Sequence, residues 1–155
     1  LVDFSRPYAV FDESVLVRAG DGLTSAEDLS GRRVGAIAGS TNMALAETFP
    51  GVETVAFDGA SEDILGDMVQ ALRQGTVDAV VDDDVALVPL ADQPDLALAF
   101  TVPTRNRWGV SVVKGNEALR NELDEALTAV IADGSLESVW KTWMSGLPFP
   151  LSADA

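Results

Sequence analysis

The stretch VGAIAGSTN, residues 34–42, decides the fold of this chain. Its first five residues are apolar and compact, which predicts a buried β-strand over residues 34–38. The next four residues are small and polar, and they open a helical stretch over residues 43–48 that ends before Pro50. The order strand, polar loop, helix is the repeating unit of an α/β fold.

The same order recurs further along the chain. Strands are predicted over residues 52–57 and 77–81, and a helix capped by Ser61 lies between them, with an apolar period of 3.6 residues up to Gly75. Three aspartates and a helix over residues 85–91 follow the second strand. Apolar strands that alternate with helices favour a parallel sheet covered by helices on both faces.

Both ends of the chain add further elements. Residues 2–4 are predicted to end a strand that Pro7 breaks, and residues 14–18 to form a second strand. After residue 95 we expect two strands, two helices and an extended tail, over residues 96–102, 108–113, 116–132, 136–144 and 147–155.

Composition excludes several classes of function. The 155 residues carry a formal net charge of −15, which repels nucleic acid and anionic lipid surfaces. The chain contains no Cys and no His, so it offers no thiol nucleophile, imidazole base, zinc-finger site or disulfide. No apolar run approaches the roughly 18 to 20 residues of a membrane span. We expect a globular protein without a cofactor.

Two loops carry the candidate chemistry, because ligands of open parallel sheets bind beyond the carboxyl ends of the strands. The first loop places Gly39, Ser40, Thr41 and Asn42 at a helix amino terminus, where free N–H groups attract a carboxylate. The second presents Asp83 to a cation. Singly, each loop is also explained as a helix cap or a solvated helix start. Together they favour a zwitterion, such as an α-amino acid.

Six segments of the chain resemble a known family in their order and spacing. They are VDFSRPY (2–8), AEDLSGRRVG (26–35), AGST (38–41), GTVDAVVDD (75–83), WGV (108–110) and DGSL (133–136). The chain resembles the type 3 bacterial solute-binding proteins of polar amino-acid ABC transporters over residues 2–146. This resemblance implies a periplasmic-binding-protein-like α/β fold, with two lobes joined by a hinge and an amino acid held between them.

The resemblance also implies roles for individual residues. Thr41 and the loop of Gly39, Ser40 and Asn42 match the residues that hold the ligand's α-carboxylate, and Asp83 matches the one that takes the α-ammonium. Ile37 matches a position that often faces the ligand side chain, and an isoleucine there disfavours a salt bridge to an acidic side chain.

Compared with the family, the chain is expected to lack most of the N-terminal lobe. Residues 1–17 then form the end of lobe 1 and a hinge strand, residues 18–102 form a three-layer, parallel-sheet lobe 2, residues 103–147 form the hinge return and the C-terminal part of lobe 1, and residues 148–155 form a tail. The apolar face of the helix bearing Leu119 to Ile131 would then be exposed, and self-association could cover it.

The resulting interpretation is an extracytoplasmic receptor, periplasmic or lipid-anchored, that delivers an amino acid to an ABC transporter permease. An enzyme on the same scaffold is an alternative, such as a cyclohexadienyl or arogenate dehydratase in which Asp82, Asp83 or Asp84 is the general acid. A ligand-sensing module of a larger receptor is a third possibility.

Overall fold

A computed structural model describes residues 1–59 and 61–152 of the chain. The strands are β1 (Val2–Arg18), β2 (Arg33–Ile37), β3 (Glu53–Phe57), β4 (Ala79–Asp83) and β5 (Leu96–Val113). The α-helices are α1 (Thr41–Ala46), α2 (Ile64–Gln74), α3 (Asp84–Leu87), α4 (Glu117–Ala132) and α5 (Ser135–Trp143). Short 3₁₀ helices occupy Glu27–Leu29 and Val88–Asp92. Residues 153–155 of the predicted tail lie outside the described residues.

The five strands form one sheet in the order β3-β2-β4-β1-β5. Strand β2 is parallel to both β3 and β4, which confirms the parallel core predicted from the strand and helix alternation. Strand β1 runs antiparallel to β4, with Val15 opposite Val81 and Leu16 opposite Val80. The sheet is therefore mixed, with β3, β2 and β4 parallel to one another and β1 antiparallel beside β4.

Apolar side chains on the two faces of the sheet form two separate clusters. On one face, Val15, Val17 and Val81 pack with Met43 and Ala46 of α1. The other face holds Leu16 and Val80, which pack with Met68, Val69 and Leu72 of α2. Since side chains alternate along a strand, neighbouring residues of β1 and β4 belong to clusters on opposite faces of the sheet. The α/β fold class and the helix, sheet, helix layering are thus confirmed.

Local sequence sets where the helices begin and end. Gly75 adopts a left-handed conformation, with φ of 72°, and ends α2 as predicted. The N-cap of α2 is Asp63, whose side chain accepts the N–H of Gly66, so the prediction of Ser61 as the cap was wrong. Both residue types cap helices, and Asp63 lies at the spacing that reaches a free N–H of the first turn.

Two predicted breaks do not occur. The chain stays extended through Pro7, because the fixed φ of proline is compatible with a strand and removes only one hydrogen-bond donor. Strand β5 likewise continues from Leu96 to Val113, although Arg105 within it has a φ of 53°. The predicted pairs of short strands are therefore two long ones.

The chain divides into two compact units. The first unit comprises Leu1–Phe11 and the described residues from Thr104 onward, and the second unit comprises Asp12–Pro103. Strands β1 and β5 each contribute residues to both units. The division into lobes at residues 18 and 102 stays a prediction.

In the first unit, α5 carries the buried Trp140, whose indole N–H donates to the carbonyl of Leu147 at 3.0 Å. The apolar stripe of α4 is partly covered, since Ile131 is buried while Leu119 is 43% exposed. The large apolar side chains exposed among the described residues all belong to this unit: Leu1, Val2, Phe4, Trp108, Val110, Val113, Leu119, Val139 and Trp143. Among residues 1–59 and 61–152, no helix is long and apolar enough to cross a membrane.

Candidate functional site

The loop after β2 is held in place by Ser40, the N-cap of α1. Its hydroxyl oxygen accepts the N–H of Met43 at 3.1 Å, and the hydroxyl donates to the carbonyl of Ile37 at 2.7 Å. Gly39 permits this turn because its φ of 72° lies in the region that favours glycine. The side chain of Ser40 is thus committed to the cap.

Thr41 and Asn42 form the first turn of α1, where backbone N–H groups have no partner within the helix. Thr41 is exposed, so its N–H and hydroxyl can reach a bound molecule, whereas Asn42 is buried. Helix α1 has only six residues, and its dipole is correspondingly small. Recognition of a carboxylate here would therefore depend on individual N–H and hydroxyl donors, rather than on the helix dipole.

The second predicted loop differs from expectation at its start. Asp82 and Asp83 belong to strand β4, rather than following a strand that ends at Val81, and Asp84 opens α3. Asp82 and Asp84 are buried, and Asp83 is half-buried. The carboxylates therefore occupy the carboxyl end of β4 itself.

A buried hydrogen bond joins the two loops. The side-chain amide of Asn42 donates to Oδ1 of Asp82 at 2.8 Å, and the same oxygen accepts the N–H of Asp83 at 2.8 Å. The first turn of α1, which includes Thr41, thus lies beside the end of β4, which includes Asp83. Oδ1 of Asn42 is buried and has no hydrogen-bond partner within the part of the chain that the structure describes.

The electrostatic environment of β4 favours protonated carboxyls. Burial raises the pKa of Asp83 to about 6, and repulsion from Asp82, Glu13 and Asp84 adds to the rise. Burial also raises the pKa of Asp82, although the hydrogen bonds from Asn42 and from the N–H of Asp83 oppose it. A bound cation would offset this repulsion between the carboxylates.

Glu13 is a member of the site that sequence reasoning missed. It lies on β1 directly opposite Asp83 in the antiparallel pair and is only 2% exposed. In the sequence it stands between Asp12 and Ser14, where a solvated position is the ordinary expectation. The missed signal is its position in the strand: Glu13 is two residues before Val15, so it shares the face of that core residue.

The remaining predicted residues lie around these two loops. Ile37 ends β2, and its side chain is half-buried against the cluster of Leu16, Met68 and Leu72. Gly39 is exposed, and a Cβ built on it would meet nothing within 4 Å. The space beside the loop is therefore open.

A cavity and the acidic side chains outside the predicted residues do not add to this site. A cavity of about 230 Å³ lies in the first unit and is lined by Arg6, Pro7, Val10, Arg105, Arg107, Pro150 and Leu151, so no predicted ligand residue lines it. Among residues 1–59 and 61–152, no group of three or more Asp or Glu side chains is arranged to hold a metal ion.

The known proteins that this chain resembles are solute-binding proteins. Residues 1–146 match the bacterial extracellular solute-binding proteins, family 3. The glutamine-binding protein GlnH of a Bacillus subtilis ABC transporter is 31% identical over 150 residues, which are 95% of this chain and 53% of that protein. The L-cystine-binding protein TcyJ of Escherichia coli K12 is 31% identical over 146 residues, covering 91% of this chain and 53% of that protein.

Solved structures support the fold. An ancestral arginine-binding protein bound to arginine superimposes with a TM-score of 0.77 at 30% identity, covering 92% of this chain and 64% of that one. The chain spans about half the length of the curated relatives it matches. Those relatives are named as binding proteins, which supports a receptor over the dehydratase-like enzyme.

Proposed function

This chain belongs to the bacterial extracellular solute-binding proteins of family 3, and we propose that it captures an amino acid for delivery to the permease of an ABC transporter. Its relatives are named for binding glutamine, L-cystine and arginine, and these ligands share an α-amino acid group.

The observation that carries the proposal is the hydrogen bond from Asn42 to Asp82. It supports a common site because it joins the first turn of α1, which includes the exposed Thr41, to the end of β4, which includes Asp83. A donor group beside an acceptor of raised pKa suits a molecule with both a carboxylate and an ammonium group.

Specific roles follow for the predicted residues. Thr41 binds the ligand carboxylate through its N–H and hydroxyl, within the loop that Gly39, Ser40 and Asn42 shape. Asp83 accepts the ammonium group. Ile37, at the end of β2, adjoins the ligand side chain and provides apolar contact there.

Location and architecture form part of the same proposal. The protein acts outside the cytoplasm, in the periplasm or anchored by lipid to the cell surface, where an ABC transporter collects its solute. The two-lobe receptor with a hinge, implied by the resemblance, takes the second unit as lobe 2 and the first unit as part of lobe 1.

Titration calorimetry of the chain with a panel of the common amino acids tests the ligand class. We expect binding of at least one amino acid, with a 1:1 stoichiometry, and no binding of sugars or dicarboxylates without an amino group. Failure of every amino acid in the panel to bind would overturn the proposal. Turnover of arogenate or prephenate would favour the enzyme instead.

Self-association through the first unit is a further part of the proposal. Exposed apolar side chains are concentrated there, with Trp143 at 76%, Val139 at 54% and Phe4 at 60% exposure. A second copy of the chain covers this surface most simply, because each copy offers the same apolar face. Sedimentation velocity should show concentration-dependent association, and Trp143→Ser with Val139→Ser should weaken it. A monomer at all concentrations would contradict this part alone.

A further inference from the structure

Glu13 and Asp83 are directly opposite each other across the antiparallel pair of β1 and β4. Side chains of opposed residues project to the same face of a sheet, with Cβ atoms about 4.5 to 5.5 Å apart, and like charges at such positions destabilise the sheet. The two carboxylates therefore share the face on which α1 packs, the face of Val15 and Val81.

Folding alone does not explain a glutamate at position 13. Its side chain is almost fully buried, and Oε1 has no hydrogen-bond partner among residues 1–59 and 61–152. A buried polar atom without a partner costs stability, and a buried charge costs more. Such a group fits a site whose missing partner is a ligand.

The basic residues of the second unit do not supply that partner. They are Arg18, Arg32, Arg33 and Arg73. Arg18 and Arg33 form ion pairs with Asp78, and Arg73 forms one with Asp95. Asp78 adjoins the amino end of β4, opposite the end that holds Asp83, and Arg32 immediately precedes β2 at that same amino end.

Arg18 and Arg33 thus lie with their partner Asp78 at the amino end of β4, whereas the carboxylates of Asp82 and Asp83 lie at its carboxyl end. The raised pKa of Asp83 agrees with this arrangement, since a neighbouring guanidinium would have lowered it. The charged groups that act on Asp83, namely Asp82, Glu13 and Asp84, are all negative.

We propose that Glu13 is a specificity-determining residue, whose buried charge behind Asp83 makes the site select an amino acid of net positive charge over a neutral one. This inference rests on the proposed function and names the substrate class of the same site. A neutral zwitterion brings a carboxylate together with its ammonium, so it leaves the excess negative charge in place. A basic amino acid carries one further cation and offsets that charge.

Arginine and citrulline provide the sharpest test, because they have nearly the same shape and differ by one positive charge. Titration calorimetry at pH 7.5 should give arginine at least about tenfold tighter binding than citrulline in the wild-type chain. In Glu13→Gln, this ratio should fall by about tenfold, through weaker arginine binding. Glu53→Gln, at an exposed position of β3, should leave the ratio unchanged.

Stability of the ligand-free protein gives an independent measurement. Because Glu13 repels Asp83, Glu13→Gln should unfold at an equal or higher urea concentration than the wild type at pH 7.5. A residue with a purely structural role would instead lose stability on substitution and leave the arginine to citrulline ratio intact.

The outcomes separate this inference from the function on which it rests. Equal or tighter binding of citrulline, or an unchanged ratio in Glu13→Gln, would overturn the role of Glu13 and leave amino-acid binding standing. Absence of binding by arginine, citrulline and every common amino acid would overturn both.

Discussion

Oδ1 of Asp82 accepts two hydrogen bonds at 2.8 Å, one from the side chain of Asn42 and one from the N–H of Asp83. One carboxylate oxygen therefore fixes the first turn of α1 and the end of β4 relative to each other. Both side chains are buried, with 5% exposure for Asn42 and 7% for Asp82, so water does not readily replace the bond between them.

Substituting Asn42 should therefore destabilise the second unit. Asn42→Ala leaves the carboxylate of Asp82 buried with one donor fewer, and we expect the free energy of unfolding to fall by about 1 to 3 kcal/mol. Urea denaturation followed by circular dichroism measures the change. Asn121→Ala, at an exposed position of α4, is the control and should stay within about 0.5 kcal/mol of the wild type. Equal stability of the two variants would contradict the role of the buried bond.

Substituting the residues proposed to contact the ligand should weaken binding without unfolding the chain. Thr41→Val removes a hydroxyl donor and Asp83→Ala removes the ammonium acceptor, and each should cost about 2 kcal/mol or more of binding free energy. Calorimetric titration with the best-bound amino acid provides the measurement.

Two exposed residues serve as matched controls for these substitutions. Thr76→Val and Asp92→Ala remove the same groups from other parts of the second unit and should bind as the wild type does. Unaltered affinity in Thr41→Val or Asp83→Ala would show that the ligand lies elsewhere.

Much of this site follows from the sequence because local rules determine its loops. A polar run after an apolar strand placed Ser40 as a helix cap, and the strand order brought the loop near β4. The end of β4 was less predictable. Aspartate disfavours strands, so the pattern ended the strand at Val81, whereas pairing with Ser14 and Glu13 of β1 extends β4 through Asp82 and Asp83.

Glu13 shows a different limit of sequence reasoning. Its burial depends on the pairing of β1 with β4, which are separated by most of the second unit in the chain. Because Pro7 predicted a break, the sequence pattern did not show that β1 is one long strand. The register that sets Glu13 opposite Asp83 could therefore not be derived from the pattern. Long-range pairing of this kind is fixed by tertiary packing.

The raised pKa of Asp83 gives stability a definite dependence on pH. Its folded pKa of about 6 lies above the ordinary value of 3.8, so folding favours the protonated form. Charging Asp83 beside Asp82, Glu13 and Asp84 should then destabilise the protein progressively as the pH rises from about 4 to 6. Asp83→Asn should accordingly gain stability relative to the wild type over this range and keep a constant advantage above it.

Asp78 is the internal control for this pH dependence. Hydrogen bonds from Arg33 and the nearby charges of Arg33 and Arg18 hold the pKa of Asp78 below its usual value, although its burial acts in the opposite direction. Asp78→Asn should therefore be less stable than the wild type at neutral pH, and the difference should vanish as the pH falls through the folded pKa of Asp78. Urea midpoints measured from pH 3 to 8 check both variants, and the same trend in both would contradict the assignment.

A close backbone contact in the first unit leads to the last prediction. A Cβ added to Gly109 would lie 2.8 Å from the carbonyl oxygen of Ser5 and 3.4 Å from Cβ of Phe4. The main chain at Ser5 is held in place, because its hydroxyl accepts the N–H of Val110 and donates to the carbonyl of Arg6. Since a backbone oxygen cannot swing aside as a long side chain can, Gly109→Ala should lower the free energy of unfolding by about 1 to 3 kcal/mol. Gly59→Ala is the matched control, since its added Cβ meets nothing within 4 Å, and it should unfold at the wild-type urea concentration. If Gly109→Ala also unfolds there, β1 and β5 do not approach each other at Ser5 as closely as described.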